Sequence, residues 1–291
     1  MSAPQKKAAA RHLVQKRMCS QRQACRFVGL SRSTARYQAR PKQDEAALVE
    51  RLKQFATRRR RRGYRLAHKE LRHCGVVVNH KRLYRLWKRE GLSVPPRRSC
   101  KRIRSACASP RALVADCPNR VWCLDFVEDR TLGGGKLRIL CVTDEFTRQS
   151  LAIEVGRSFR SERVCAVLEQ LMSERGGPGA LRMDNGPEFV ALALRGLCHR
   201  RGIDPAYIEP GKPWQNGIAE SFMARLRDEF LDGEVFLSVL EAQVRLGLWR
   251  RYWNEERLHS SLEYQTPSEF AACWAADTMR NQAETKALAG T

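Results

Sequence analysis

"VWCLDFVEDR" occupies residues 121–130 and opens the strand-rich part of the chain. Val121, Trp122, Leu124 and Phe126 make an apolar strand, and two more strand-like runs follow, "LRILCVTDEF" (137–146) and "SLAIEVGR" (150–157). Short turns join them, the first around Gly133–Gly135. A helix is then expected over 161–175, through Val164, Val167, Leu168 and Leu171. Next come the strand "LRMD", a helix from Pro187 to His199, a short "AYIEP" strand and the loop "GKPWQNG". Helices over 216–231 and 238–256 complete the pattern. Three consecutive strands followed by alternating helix and strand predict a mixed α/β sheet covered by helices.

Upstream the grammar changes, and so does the charge. Residues 1–120 hold 33 Lys and Arg against 6 Asp and Glu, a net of +27; residues 121–291 hold 21 against 25, a net of −4. A basic half joined to a mildly acidic one points to a polyanion-binding module attached to a second function. In "SQRQACRFVGLSRSTARY" (20–37), Ser20 caps a helix with the apolar stripe Ala24, Phe27 and Val28, Gly29 turns the chain, and Ser31 caps a second short helix. That order reads as helix-turn-helix, with Arg32, Ser33, Thr34 and Arg36 as expected DNA contacts, or else as a plain helical hairpin.

Pro41 closes this unit, and residues 44–56 form an amphipathic helix with Ala47, Leu48, Leu52 and Phe55 on its apolar side. Residues 58–92 supply two further helices with Leu66, Leu71, Leu83, Leu86 and Trp87 inside and "GVVVNH" as the link. Arg65, Lys81, Arg82 and Arg85 are the expected DNA contacts of this second helix-turn-helix, while the run Arg58–Arg62 suits phosphate rather than bases. Residues 93–116, with paired prolines and six Lys and Arg between Arg97 and Arg111, read as a basic linker. The expected domains are therefore 1–41, 42–92, the linker 93–116, a catalytic core over 117–275 and a tail over 276–291.

Composition narrows the class. No apolar run approaches a membrane span and no secretory signal opens the chain, so an intracellular protein is expected. Eleven cysteines, an odd number without a Cys-x-x-Cys pair, read as reduced core thiols rather than disulfides. His68, His73, Cys74 and His80 lack a second ligand pair at finger spacing.

Three carboxylates sit where a plain fold does not call for them. Asp125 interrupts an apolar strand, Asp184 ends the "LRMD" strand before Asn-Gly-Pro, and Glu220 lies early in the helix after "WQNGIA". At about 100° per residue, Ala219, Phe222, Met223, Leu226 and Phe230 share one side of that helix and Glu220 with Arg227 the other. Singly, each carboxylate reads as a cap, a turn residue or an exposed charge. Together, without a histidine partner, they suit hard divalent cations, Mg2+ or Mn2+, and two such ions can drive phosphodiester chemistry.

Asp125, 58 intervening residues, Asp184, 35 intervening residues and Glu220 resemble the D,D(35)E signature of retroviral integrases and bacterial insertion-sequence transposases. "DFVEDR", "DNGPEF", "PGKPWQNGIAESF", "LRDE" and "YWNEERLHSSLEYQTPSEF" resemble, in order, the OrfB transposases of the insertion-sequence-three family, and "GYRLAHKEL" with "VNHKRLYRL" is similar to that family's upstream helix-turn-helix. The resemblance implies a ribonuclease H-like core in which Asp125, Asp184 and Glu220 are metal ligands and catalytic groups for two ions. It also implies DNA contacts at Arg227, Asn185, Lys212, Gln215 and Asn216. Leu258 and Glu263 depart from the family's usual Pro and Gly, and Trp214 from a small polar residue. The histidine and cysteine pairs of the retroviral zinc module are absent, which favours the bacterial branch.

The expected function is metal-dependent cleavage of element ends and strand transfer, passing through a circular intermediate. Expected partners are double-stranded DNA, further copies of the chain to pair two ends, and an OrfA-type helix-turn-helix protein, in a bacterial cytoplasm at the nucleoid. A starting Met with no leucine-zipper heptads fits an unfused OrfB. Two alternatives stand beside this reading: a non-catalytic DNA-binding regulator, and a metal-dependent nuclease that only hydrolyses.

Overall fold

The computed structural model describes residues 1–37, 44–59, 61–93, 113–209 and 213–289, and they fall into two compact units, Met1–Arg51 and Leu52–Thr291. The first holds α1 (Ala3–Gln15), α2 (Gln21–Phe27), α3 (Arg32–Arg36) and the start of α4 (Glu45–Arg58). Its helix starts follow side-chain chemistry. Ser2 and Gln5 form a capping box ahead of α1, Ser20 and Gln23 another ahead of α2, and the Ser31 hydroxyl accepts from Thr34 N at 3.1 Å. Gly29 takes φ +60 after α2, a left-handed turn that glycine adopts without strain. Two expectations change here. Helix α1 was not anticipated, and α2 buries Ala24 and Cys25 while Phe27 is 75% exposed.

In the second unit, α4 turns Leu52 and Phe55 inward; earlier in the same helix Leu48 is buried and Ala47 is exposed. Phe55 meets Trp87 of α6 (His80–Arg89) edge to face, with centroids 6.0 Å apart. Between them runs α5 (Tyr64–His73), which buries Ala67 and only half-buries Leu66 and Leu71. Of the expected linker, residues 94–112 lie outside the described residues.

The sheet then forms from β1 (Val121–Arg130), β2 (Lys136–Asp144), β3 (Ser150–Gly156), β4 (Ala180–Met183) and β5 (Asp204–Tyr207), in the order β3-β2-β1-β4-β5. The first three are an antiparallel meander; β4 joins β1 and β5 joins β4 in parallel. Helices α7 (Ser161–Arg175), α8 (Pro187–Val190) and α9 (Leu192–Arg201) serve one face, where Trp122, Leu124, Leu181 and Met183 meet Leu168, Phe189 and Leu197. Helices α10 (Gly217–Glu229) and α11 (Val239–Glu255) serve the other, where Val127, Ile139 and Val155 meet Phe222, Leu226 and Trp249. The mixed sheet between helix layers matches the expected class. Three boundaries differ. Ala191 is extended and splits the 187–199 helix in two, β5 starts earlier than "AYIEP" because its register pairs Asp204 with Ala180, and α12 (Pro267–Ala289) runs straight through the expected limit at 275.

The described cysteines are all free. No described helix is long and apolar enough to cross a membrane.

Candidate active site

Asp125 sits mid-strand on β1, opposite Cys141 of β2. Strand alternation sends Trp122, Leu124 and Phe126 to the α7–α9 face, so Asp125 shares the other face with Val127. Its Oδ1 accepts from Phe126 N at 2.7 Å. Burial pushes this carboxyl up to about 6, the Phe126 N–H pulls the other way, and the charges of Asp184 and Glu220 push it further. Three carboxylates from three separate elements thus act on one another electrostatically.

Asp184 is exposed where the chain leaves β4, and its Oδ1 accepts from Gly186 N at 3.0 Å. Gly186 matters by what it lacks: a Cβ there would stand 3.0 Å from that same Oδ1 and 3.4 Å from Glu188 Oε2. Asn185 holds the turn, donating from Nδ2 to Ile208 O at 2.7 Å beyond the end of β5. Phe126 stacks on Phe189 of α8, centroids 5.1 Å apart, which ties this turn to β1.

Glu220 lies in the first turns of α10, half-buried, while Ala219, Phe222 and Leu226 pack inward. Arg227, two turns on, is exposed and donates from Nη2 to the Glu128 carbonyl at 3.0 Å, so α10 is latched to the end of β1. Its acidic neighbours are engaged elsewhere, Asp228 with Arg61 and Glu229 with Arg62 and Arg257.

The other expected contacts divide. Gln215 is spent on the loop before α10, bonding Glu209 through both its amide oxygen and nitrogen. Asn216 is buried, away from any surface contact, and Lys212 lies outside the described residues. On the first unit Arg32, Ser33, Thr34 and Arg36 are exposed on α3, with Arg36 Nε donating to Gln21 Oε1 at 3.1 Å. Arg65, Lys81 and Arg85 are exposed and Arg82 is half-buried on α5 and α6. The run at 58–62 is only partly engaged within the chain: Arg59 pairs with Glu256 at 2.8 Å and Arg62 is buried on Glu229, while Arg61, exposed, pairs with Asp228 at 3.1 Å, Arg58 is exposed and Arg60 lies outside the described residues.

Sequence reasoning missed the pair Arg138 and Glu188, which bond beside Phe126, Arg138 lying 4.0 Å over its ring. Both stand near the Asp125 and Asp184 elements, and the "PEF" after the turn was the only cue. It also missed Glu229, whose partners are distant in sequence.

Hard oxygen donors without a paired cation suit a divalent ion, and Gly186 leaves the Asp184 carboxylate uncovered. The side chains are not drawn onto a single point: among the described residues no group of three or more His, Cys, Asp or Glu side chains is close enough to hold a metal. Coulombic influence reaches further than a coordinate bond, so both observations hold together.

An α/β core with acidic residues at β1, the end of β4 and α10 thus follows the helical modules. Two family profiles described as integrase core domain match residues 115–213 and 201–267, and one described as an HTH-like domain matches 42–99. An insertion element IS407 protein of Burkholderia multivorans is 40% identical over 256 residues, 87% of this chain and 91% of that protein. The putative transposase InsD for insertion element IS2E of Escherichia coli is 28% identical over 208 residues, 67% of this chain and 91% of that one. A structure of the HTLV-2 integrase catalytic core domain in complex with magnesium is 19% identical, covering 54% of this chain and 99% of that one at a TM-score of 0.42. The chain belongs to the OrfB transposases of the insertion-sequence-three family.

Proposed function

We propose that Asp125, Asp184 and Glu220 hold two divalent cations, Mg2+ or Mn2+, and that the chain cuts element ends and joins them to target DNA. Three carboxylates on β1, at the end of β4 and on α10 carry this reading: burial first, then the charges of Asp184 and Glu220, hold Asp125 above the ordinary carboxylate range. When bound, such ions supply activation of the attacking oxygen and stabilisation of the leaving one. The chain's own part is to fix the donors on rigid elements: Asp125 on a central strand, Asp184 at a strand end held by the Asn185 tether, Glu220 on a helix latched by Arg227. Water attacks first, releasing a 3′-hydroxyl; that hydroxyl then attacks a phosphodiester of the target, and the displaced 3′ oxygen leaves.

Arg227 needs only to leave the Glu128 carbonyl to reach a DNA phosphate, and the exposed basic residues of α3, α5 and α6 serve DNA binding. Pairing of two ends calls for more than one copy on DNA, with an OrfA-type partner, in the cytoplasm where the chromosome lies.

The test uses purified full-length protein, magnesium and end DNA. Asp125→Asn, Asp184→Asn and Glu220→Gln should each abolish cleavage and joining while binding to end DNA persists. Arg227→Ala should keep the fold and lose most strand transfer, with Arg227→Lys recovering part of it. Near-parental strand transfer by any of the three carboxylate variants refutes the assignment, and parental joining by Arg227→Ala leaves that residue a helix latch only.

A further inference from the structure

A cleft of about 290 Å³ opens between α10, the end of α11 and the turn joining β2 to β3. It lies behind the carboxylate centre. At about 100° per residue, its α10 wall (Ile218, Ser221, Phe222 and Arg225) clusters on the side of the helix opposite Glu220 and Arg227. Whatever enters this cleft therefore meets α10 from behind.

The chemistry of the wall is one-sided. Arg148, Arg225 and the hydroxyls of Ser221, Ser260 and Ser261 line it, and no acidic side chain is among the described lining residues. His259, also in the wall, is kept neutral: burial first, then the charges of Arg257 and Arg62, push its pKa down to about 2. The arginines are thus the charges of the wall; Arg257 already has Glu229 as its counter-ion, and Arg148 feels the charges of Glu145 and Asp144 from outside the lining.

Arg148 makes the cleft more than a basic surface. It stands in the left-handed region at φ +62, where a non-glycine residue is strained. The fold holds it there, with its N–H donating to Asp144 O at 3.0 Å and its carbonyl accepting from Trp253 Nε1 at 2.9 Å. So positioned, its Nη1 is buried without a hydrogen-bond partner. A buried guanidinium donor with no acceptor is rare because the lost solvation is not returned. An oxyanion in the cleft returns it, and the serine hydroxyls add donors around the same space. The volume is near the lower end for small-ligand pockets, roughly 300 Å³, room for a tetrahedral oxyanion and part of the chain that carries it.

We infer that this cleft is a phosphate-binding site, distinct from the carboxylate centre, that takes a backbone phosphate of a second stretch of DNA or a free phosphate group. It holds charge on the far side of the helix that carries Glu220, so its occupant braces α10 without touching the reacting atoms. Only the DNA source rests on the transposase reading; the phosphate chemistry does not.

Full-length, metal-free protein is titrated with inorganic phosphate by calorimetry, against chloride at matched ionic strength. Arg225→Gln changes an exposed residue of α10, and Arg148→Gln removes the buried donor, its fold checked by circular dichroism. Arg201→Gln, exposed at the end of α9, is the control. The parent and Arg201→Gln should bind phosphate saturably at one site, and the two cleft variants should bind about tenfold more weakly or worse. Absence of saturable binding in the parent, or parental affinity in Arg225→Gln or in folded Arg148→Gln, overturns the site. A salt series with duplex DNA then names the source. A slope reduced by about one in Arg225→Gln assigns a DNA phosphate, and an unchanged slope assigns a free one. No step of this experiment reads catalysis, so it stands or falls apart from the proposed reaction.

Discussion

Helix α10 carries two glutamates nine residues apart that live in opposite electrostatic worlds. Glu229, with 8% of its side chain exposed, lies between Arg62 and Arg257, the latter in a fork of 2.9 and 2.7 Å. Burial alone would raise its pKa, but the hydrogen bonds and charge of Arg257, with Arg62 behind, pull it down to about 2. Glu220, two and a half turns earlier, acts with Asp184 on Asp125, whose carboxyl is pushed up to about 6 by burial first and then by those two charges. Glu229 completes its charge balance within the chain and so stabilises; the charges acting on Asp125 are carboxylates, the arrangement from which we propose a cation site.

The largest effect is expected at Glu229. Glu229→Gln leaves two buried guanidiniums facing one another, and stability should fall by about 3 kcal/mol or more. Glu220→Gln removes a repelling charge and should cost little. Urea unfolding of the two variants side by side measures this, and equal losses would erase the distinction. The sign with pH follows. Glu229 has a folded pKa below its ordinary 4.5, so its contribution is complete above that value and is lost as pH falls toward 2. Glu229→Gln should flatten that acid limb.

A smaller effect of the opposite sign is expected at Asp125. Its folded pKa of about 6 exceeds the ordinary 3.8, so ionisation opposes folding above about pH 6 and the penalty disappears below about 4. Metal-free Asp125→Asn should be more stable than the parent at pH 7.5, by on the order of 2 kcal/mol, and equal to it at pH 4. Magnesium should raise the parent's melting temperature and leave the variant's nearly unmoved. A variant no more stable than the parent at pH 7.5 would mean that burial and the neighbouring carboxylates together do not hold Asp125 above its ordinary range.

The smallest change tests a carboxylate outside both groups. Glu263 stands at φ +54 in the left-handed region, at a position where the family usually has glycine. Glu263→Gly should stabilise the chain by about 1 kcal/mol without a pH dependence, since only backbone strain is relieved. A pH-dependent gain would place Glu263 in one of the two charge systems instead.

Much of the site was legible because its residues violate local expectation. An aspartate inside an apolar strand, another at a strand end before Asn-Gly-Pro, and a glutamate opposite the apolar stripe of a helix each stand out within ten residues of their own context. The strands β1 and β3 and the helix α7 emerged near their observed limits for the same reason: alternation and helical periodicity are local. Helix α1 escaped because its signal is a capping box ahead of an alanine-rich, basic run with little apolar stripe. Asn216 reads as a polar loop residue and is buried.

The carboxylates at 125, 184 and 220, the basic half and the caps that start its helices stand out from the sequence. Their information is short-ranged, set by side-chain type and by neighbours one or two turns away. Tertiary structure alone decided which charges are neutralised and which are left open. Arg62 and Glu229 are 167 residues apart and Arg257 a further 28 beyond Glu229, so no local pattern pairs them. The same long-range packing buried Arg62, paired Arg59 and Arg61 with distant carboxylates, and left a donor of Arg148 unpaired behind α10. Burial and Coulombic energies depend on distances that only the folded chain sets.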